Sequence, residues 1–176
     1  METSKRFEID IVRLSTFSEE VSWHLDDSFF EALDAELIEH GNLDATLRVH
    51  NVSGGYELEF AVTGEVSIPC DRCLELMRQP ISTRQTLRVQ LAEAYSDDGD
   101  VITVAADSPT LDVAWNIYEV IALALPIQHV HPEGQCSSDM ASLLSQHTAH
   151  GPDEAHPSDQ DSPFAALQGL FDGTKR

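Results

Sequence analysis

From Tyr56 to Ile68 the chain alternates with a period of two. Tyr56, Leu58, Phe60, Val62, Gly64, Val66 and Ile68 fall on even positions, while Glu57, Glu59, Thr63, Glu65 and Ser67 fall on odd ones. A period of two over that length cannot form the apolar stripe of a helix, which needs a period of 3.6. It forms a strand with one dry and one wet face. Leu43, Ala45, Leu47 and Val49 alternate with Asp44, Thr46, Arg48 and His50 just upstream, and Ser53, Gly54 and Gly55 supply turn residues between the two runs. The pair is expected to form an antiparallel hairpin.

The same signature recurs at Phe7, Ile9 and Ile11, and again at Ile81, Leu87, Val89 and Leu91. The expectation is an α+β fold built on a largely antiparallel sheet of about four strands, with one face in water. Two helices join it. Asp26, Asp27 and Ser28 offer capping oxygens before Phe29, Phe30 and Leu33, which predicts a short capping helix. The second helix spans about Asp112 to Leu125 and is apolar nearly all round, so it must be buried or covered by a partner. Asp112 is placed as its N-cap, and Pro126 ends it. Glu119, inside that apolar run, would need a donor such as Arg72 or a histidine if buried.

Residues 1–136 are therefore assigned to a single α+β domain. From 137 to 162 the chain turns to Ser, His, Gln, Asp and Pro, a composition too poor in apolar residues to fold alone, and this stretch is expected to be a flexible acidic, His-rich linker. Residues 163–176 open with Pro163 and carry Phe164, Leu167 and Phe171 on one side of an expected short helix.

Charge narrows the function classes. The formal net charge is −21, and no Lys or Arg occurs from Val89 to Thr174. A chain of this sign is repelled on average by phosphate backbones, which excludes wholesale coating of nucleic acid or of anionic membranes. A local basic patch, or a basic protein partner, is left open. No apolar run approaches the roughly 18 to 20 residues of a bilayer span, and no apolar signal segment follows Met1. A cytoplasmic, reducing location is expected, with the thiols free or metal-bound.

Cys70 and Cys73 form a C-x-x-C in a connection between two strands, and Cys136 lies beyond the apolar helix with His129 and His131 just before it. Zinc in a closed structural site takes four such ligands. Cys70, Cys73, Cys136 and His131, the last taken ahead of His129, would make a set of three thiolates and one imidazole. Two other readings stay open at this point: semi-buried free thiols beside surface histidines, and a redox pair, although the helix N-terminus such a pair uses is absent from the pattern. His147, His150 and His156 are expected to be solvated.

Arg72, Arg78, Arg84 and Arg88 make 71–91 the one locally basic stretch. Arg84 and Arg88 share strand parity on the wet face, where they would meet phosphates or pair with Glu57, Glu59 and Glu65 across strands. No aromatic stripe accompanies them to stack single-stranded RNA.

The runs GEVSIPCDRCLE (64–75), LDVAWNIYEVIALALP (111–126), GQC (134–136) and PFAAL (163–167) resemble, in this order, the YceD family of bacterial and plastid proteins named for large ribosomal RNA subunit accumulation. The resemblance covers nearly the whole chain. Many members carry further cysteines after the L-x-L-P segment, where this chain keeps Cys136 with His129 and His131. Many also end in an Asp-Pro-Arg block, where this chain has Ser162, Pro163 and Phe164. The resemblance implies a role in synthesis, processing or stability of 23S ribosomal RNA, without enzymatic activity. The implied partner is the large-subunit precursor, through its RNA or a basic ribosomal protein. A zinc- or thiol-dependent RNA-processing enzyme is the runner-up, and an acidic module that holds a basic ribosomal protein is a third reading.

Overall fold

The computed structural model describes residues 6–147, apart from Glu36, Glu39 and 98–100. Twelve elements follow in order: β1 (Glu8–Asp10), α1 (Ile11–Phe17), β2 (Glu20–Leu25), α2 (Asp27–Ala32), β3 (His40–Val52), β4 (Gly55–Pro69), β5 (Leu76–Ala92), β6 (Ser96–Asp97), β7 (Val101–Ala105), β8 (Thr110–Asp112), α3 (Ala114–Leu123) and α4 (Ser138–His147). The chain divides into two compact units after Ser137. The first unit is α+β.

Its main sheet has six strands in the order β2-β3-β4-β5-β7-β6, all neighbours antiparallel except β5 and β7. This is larger than the four strands expected. The β3–β4 hairpin and β5 lie where the alternation puts them, and the even residues Leu58, Phe60, Val62, Val66 and Ile68 are all buried. Four strands were not expected; two of them alternate, with Val21, Trp23 and Leu25 in β2 and Ile102 and Val104 in β7, while β6 and β8 are only two and three residues long. The segment from Phe7 to Ile11 departs from expectation in another way. It gives only the three-residue β1, which leaves the main sheet to pair with β8, Ile9 opposite Leu111. The strand stops because Asp10 caps a helix: its carboxylate accepts from the Arg13 N–H at 2.9 Å, and Ile11 opens α1.

The dry face of the sheet packs against the helices. α1 and α2 lie against β3, and α3 lies against β4 and β5. Phe7, Trp23, Phe29 and Phe30 form a chain of ring contacts, with centroids 5.1 to 5.7 Å apart, and the Trp23 indole N–H is satisfied by the Arg6 carbonyl at 3.0 Å. α2 is capped as predicted, the Asp26 carboxylate accepting from the Ser28 N–H at 3.1 Å.

α3 is buried on one side only. Ala114, Ile117, Tyr118, Val120 and Ile121 are buried, whereas Trp115 and Leu123 are exposed. Val113, not Asp112, occupies the N-cap position, although the Asp112 carboxylate still accepts from the Ala114 N–H at 3.0 Å. Glu119 faces solvent and accepts from the Trp115 indole N–H at 3.1 Å, so neither Arg72 nor a histidine is required as its donor.

In the second unit, α4 is a ten-residue helix with no buried residue, within the stretch that composition assigns to a linker. The remainder of that stretch and the short helix expected over 163–176 lie outside the described residues. No helix among the described residues is long and apolar enough to cross a membrane.

Candidate metal centre

The connection between β4 and β5 is a tight loop. The Cys70 N–H donates to the Glu75 carbonyl at 2.9 Å and the Leu74 N–H to the Cys70 carbonyl at 2.9 Å. Closing the loop forces Leu74 into the left-handed region at φ 61°, a conformation a branched side chain adopts only under constraint. The fold turns both thiols of the C-x-x-C inward. Cys70 is fully buried and Cys73 is 6% exposed.

The chain that leaves α3 comes back to this loop. The Asp71 N–H donates to the His129 carbonyl at 2.9 Å, and the His129 N–H donates to the Asp71 carboxylate at 2.8 Å. Two residues further, His131 Nδ1 lies 3.3 Å from the Cys73 Sγ. Cys136 then places its Sγ 4.0 Å from that of Cys70. The ligand atoms of Cys70, Cys73, His131 and Cys136 all lie within 4.8 Å of one another.

These distances can be compared with zinc. A Zn–S bond of about 2.3 Å in a tetrahedron separates two sulfurs by about 3.8 Å, close to the 4.0 Å between Cys70 and Cys136. A disulfide would need about 2.05 Å, and all three cysteines are free thiols. The four donor atoms are close enough together to hold one metal ion.

The backbone favours thiolate at Cys70. Burial on its own raises the thiol, but N–H donors from His131, Cys73 and Arg72 converge on the sulfur and bring it from 9.0 down to about 6. Two of those donors, Arg72 and His131, stand at 3.4 Å. Cys136 moves the other way, to about 11, through burial and then its contacts with the Cys73 and Cys70 sulfurs. An ion supplies the positive charge that such packed sulfurs lack, and a coordinated thiol is deprotonated outright.

The sequence matches, over residues 58–171, the family described as large ribosomal RNA subunit accumulation protein YceD. The chain belongs to this family. Comparison with curated proteins and with solved structures gives no match. The YceD match begins inside β4 and spans the C-x-x-C loop, α3 and the segment carrying His131 and Cys136.

Of the four arginines in this YceD member singled out by sequence, three lie on the wet face of the sheet, each against a glutamate of β4. Arg84 meets Glu59 at 3.1 Å, Arg78 meets Glu65 at 3.4 Å, and Arg88 meets Glu57 at 3.7 Å. Glu59 also accepts His50 at 3.3 Å, and Arg48 pairs with Glu20 at 2.7 Å across β2 and β3. The wet face is thus an interleaved lattice of charges. Arg72 is separate. It is exposed on the C-x-x-C loop, and no carboxylate among the described residues meets its guanidinium.

Sequence reasoning missed Asp71; its partner His129, ranked behind His131, lies outside the cluster. Their side chains also meet, His129 Nε2 lying 3.3 Å from the Asp71 carboxylate, so His129 joins the two ligand-bearing segments and stands outside the cluster. A D in C-D-R-C gives no signal of that pairing until α3 returns the chain.

Proposed function

We propose that the chain is a non-enzymatic factor of large-subunit ribosome assembly that supports synthesis, processing or stability of 23S ribosomal RNA, and that one structural zinc held by Cys70, Cys73, His131 and Cys136 fixes its shape. The membership in the YceD family carries the ribosomal part. The donor set supports a structural ion: four protein ligands fill a tetrahedron and leave no position for a reactive water.

The chain works in the cytoplasm on the large-subunit precursor. Arg72 is the arginine best placed for a phosphate, because Arg78, Arg84 and Arg88 already have carboxylate partners. The net charge of −21 keeps non-specific RNA binding low and favours basic proteins.

The test is a deletion strain examined by subunit profiles and by crosslinking. Loss of the protein is expected to lower the ratio of large to small subunits, and crosslinks to large-subunit precursor RNA or its proteins are expected. Unchanged profiles under slow and fast growth would refute the ribosomal reading.

A further inference from the structure

α3 covers β4 and β5 with one face, and among the described residues its opposite face is left bare. Trp115, Glu119 and Leu123 recur every fourth residue and so share that outward side. Trp115 is 51% exposed and Leu123 is 75% exposed. Ile127, four residues on, is fully exposed as well. Large apolar side chains exposed in sequence-regular fashion on a buried-type helix mark a contact surface.

The geometry of the first pair is specific. The Trp115 indole leans on Tyr118, centroids 5.1 Å apart, and its N–H is held by the Glu119 carboxylate at 3.1 Å. Fixing the ring in this way leaves an aromatic surface beside an anion, an arrangement that receives a lysine or arginine by cation–π and ionic attraction together. The surrounding charge agrees. No Lys or Arg occurs from Val89 to Thr174, and Asp112 is exposed one helical turn before Trp115. Trp23, the other tryptophan, is buried and hydrogen-bonded to Arg6, so it takes no part.

We infer that the outer face of α3, Trp115, Glu119 and Leu123 with Ile127 beyond it, docks a lysine- and arginine-rich segment of a large-subunit ribosomal protein, cations meeting Trp115 and Glu119 and apolar residues meeting Leu123 and Ile127. The choice of a ribosomal protein rests on the function proposed above; the choice of a basic, apolar peptide rests on the face itself. RNA is disfavoured because Glu119 and Asp112 repel phosphates.

The experiment uses the full chain and a synthetic peptide rich in arginine and leucine, with binding read by Trp115 fluorescence and by calorimetry. Trp115→Ala is expected to weaken binding roughly tenfold and Glu119→Gln several-fold. Glu31→Gln, which removes one carboxylate from α2, is expected to leave it unchanged. Circular dichroism and thermal melts check that each variant is folded, and both changes are at the surface. Equal affinity for wild type, Trp115→Ala and Glu119→Gln would overturn the proposal, since attraction would then be a general effect of net charge. So would tighter quenching of Trp115 by single-stranded RNA than by peptide, or a dimer in sedimentation that Trp115→Ala abolishes. A separate arm keeps the two readings apart. A normal subunit ratio in the deletion strain would remove the ribosomal source while leaving the peptide result standing. Wild-type peptide affinity in Trp115→Ala would remove the surface while leaving the ribosomal role.

Discussion

Asp71 and His129, 58 residues apart in sequence, hold each other through backbone and side chain at once. The His129 N–H donates to the Asp71 carboxylate at 2.8 Å, the His129 ring reaches the same carboxylate at 3.3 Å, and the Asp71 N–H returns a bond to the His129 carbonyl at 2.9 Å. Each residue adjoins the cluster of Cys70, Cys73, His131 and Cys136 without belonging to it. The clasp sets the spacing between the C-x-x-C loop and the segment bearing His131. Asp71→Ala removes two of the three contacts and is expected to lower zinc affinity about tenfold or more, the usual range for partners that orient ligands. Competition with a chromogenic chelator measures it. Wild-type affinity would show that the four ligands position themselves.

Zinc at this site would tie the connection after β4 to the chain beyond α3. The unfolded chain cannot hold such distant ligands together, so the binding free energy becomes folding free energy. Protein purified without a polyhistidine tag is expected to carry about one zinc per chain. Cys73→Ser and Cys136→Ser are each expected to abolish it and to lower the melting temperature, and a chelator is expected to reproduce most of that drop in wild type. Zinc-free, fully stable protein with three titratable thiols would refute the site.

The sequence singled out the four residues that the fold brings together, Cys70, Cys73, His131 and Cys136, but not what joins their two segments. Cys70, Cys73 and Cys136 stood out because thiolates chelate metal, with free thiols and a redox pair left open beside that reading. The preference for His131 over His129 had no physical ground until the Asp71 clasp accounted for His129. The hairpin was legible because its alternation is long and regular. β2 and β7 were not, since Val21 to Leu25 and Val101 to Ala105 are short runs where local pattern competes with neighbouring cap and turn residues. The open side of α3 was hidden for a different reason: composition cannot tell a helix sunk in a core from one with an apolar outer face.

Thiol titration gives the centre a pH signature in the metal-free chain. Cys70 is held at about 6 against an ordinary 9.0, so its contribution to stability is complete above pH 9 and is lost as pH falls through about 6. Cys136 is raised to about 11, so its contribution is complete below pH 9 and is lost as pH rises through about 11. The two together predict that the stability of the metal-free protein rises from about pH 6, peaks near pH 9 and declines toward pH 11. Denaturation midpoints across this range check the shape. The ultraviolet absorbance of thiolate should show one thiolate forming near pH 6, and its loss in Cys70→Ser assigns it.

The edge of β5 yields a prediction about solubility. β4 pairs with β5 from Leu76 to Val89, whereas β7 pairs with it only from Arg88 to Ala92. The stretch from Leu76 to Leu87 therefore has one open edge among the described residues. The Ala92 carbonyl accepts from Ala106 on the β7 side, so residues of even number turn their backbone groups away from β4. Pro80 has that parity and puts a nitrogen without a hydrogen on the open edge, between the exposed Arg78 and Arg84. Proline and charge at an edge are the devices that block pairing with a second chain. Pro80→Val is expected to leave monomer stability within about 1 kcal/mol while promoting association that grows with concentration. Light scattering against concentration measures it, and a variant as monomeric as wild type would refute the assignment.

Gly64 is the one interruption in the even-numbered face of β4, and backbone geometry explains it. Its φ is 146°, within the region L side chains rarely adopt, and a Cβ there would stand 2.3 Å from the Asn42 carbonyl oxygen and 2.6 Å from the Leu43 Cα. Both neighbours belong to the β3 backbone, paired with β4 through Leu43 opposite Gly64, so neither moves aside without breaking the ladder. Gly64→Ala is expected to cost at least about 2 kcal/mol, combining the strained φ with separation of β3 from β4. Gly54 provides the contrast: it also has a positive φ, 93°, but nothing lies within 4 Å of a Cβ built there. Gly54→Asn, in a turn where asparagine tolerates positive φ, is expected to cost well under half as much. Urea denaturation of the two variants tests the difference. Equal losses would mean that conformational strain alone sets the cost; a loss at Gly64 several times larger means that close approach between the two strands sets it.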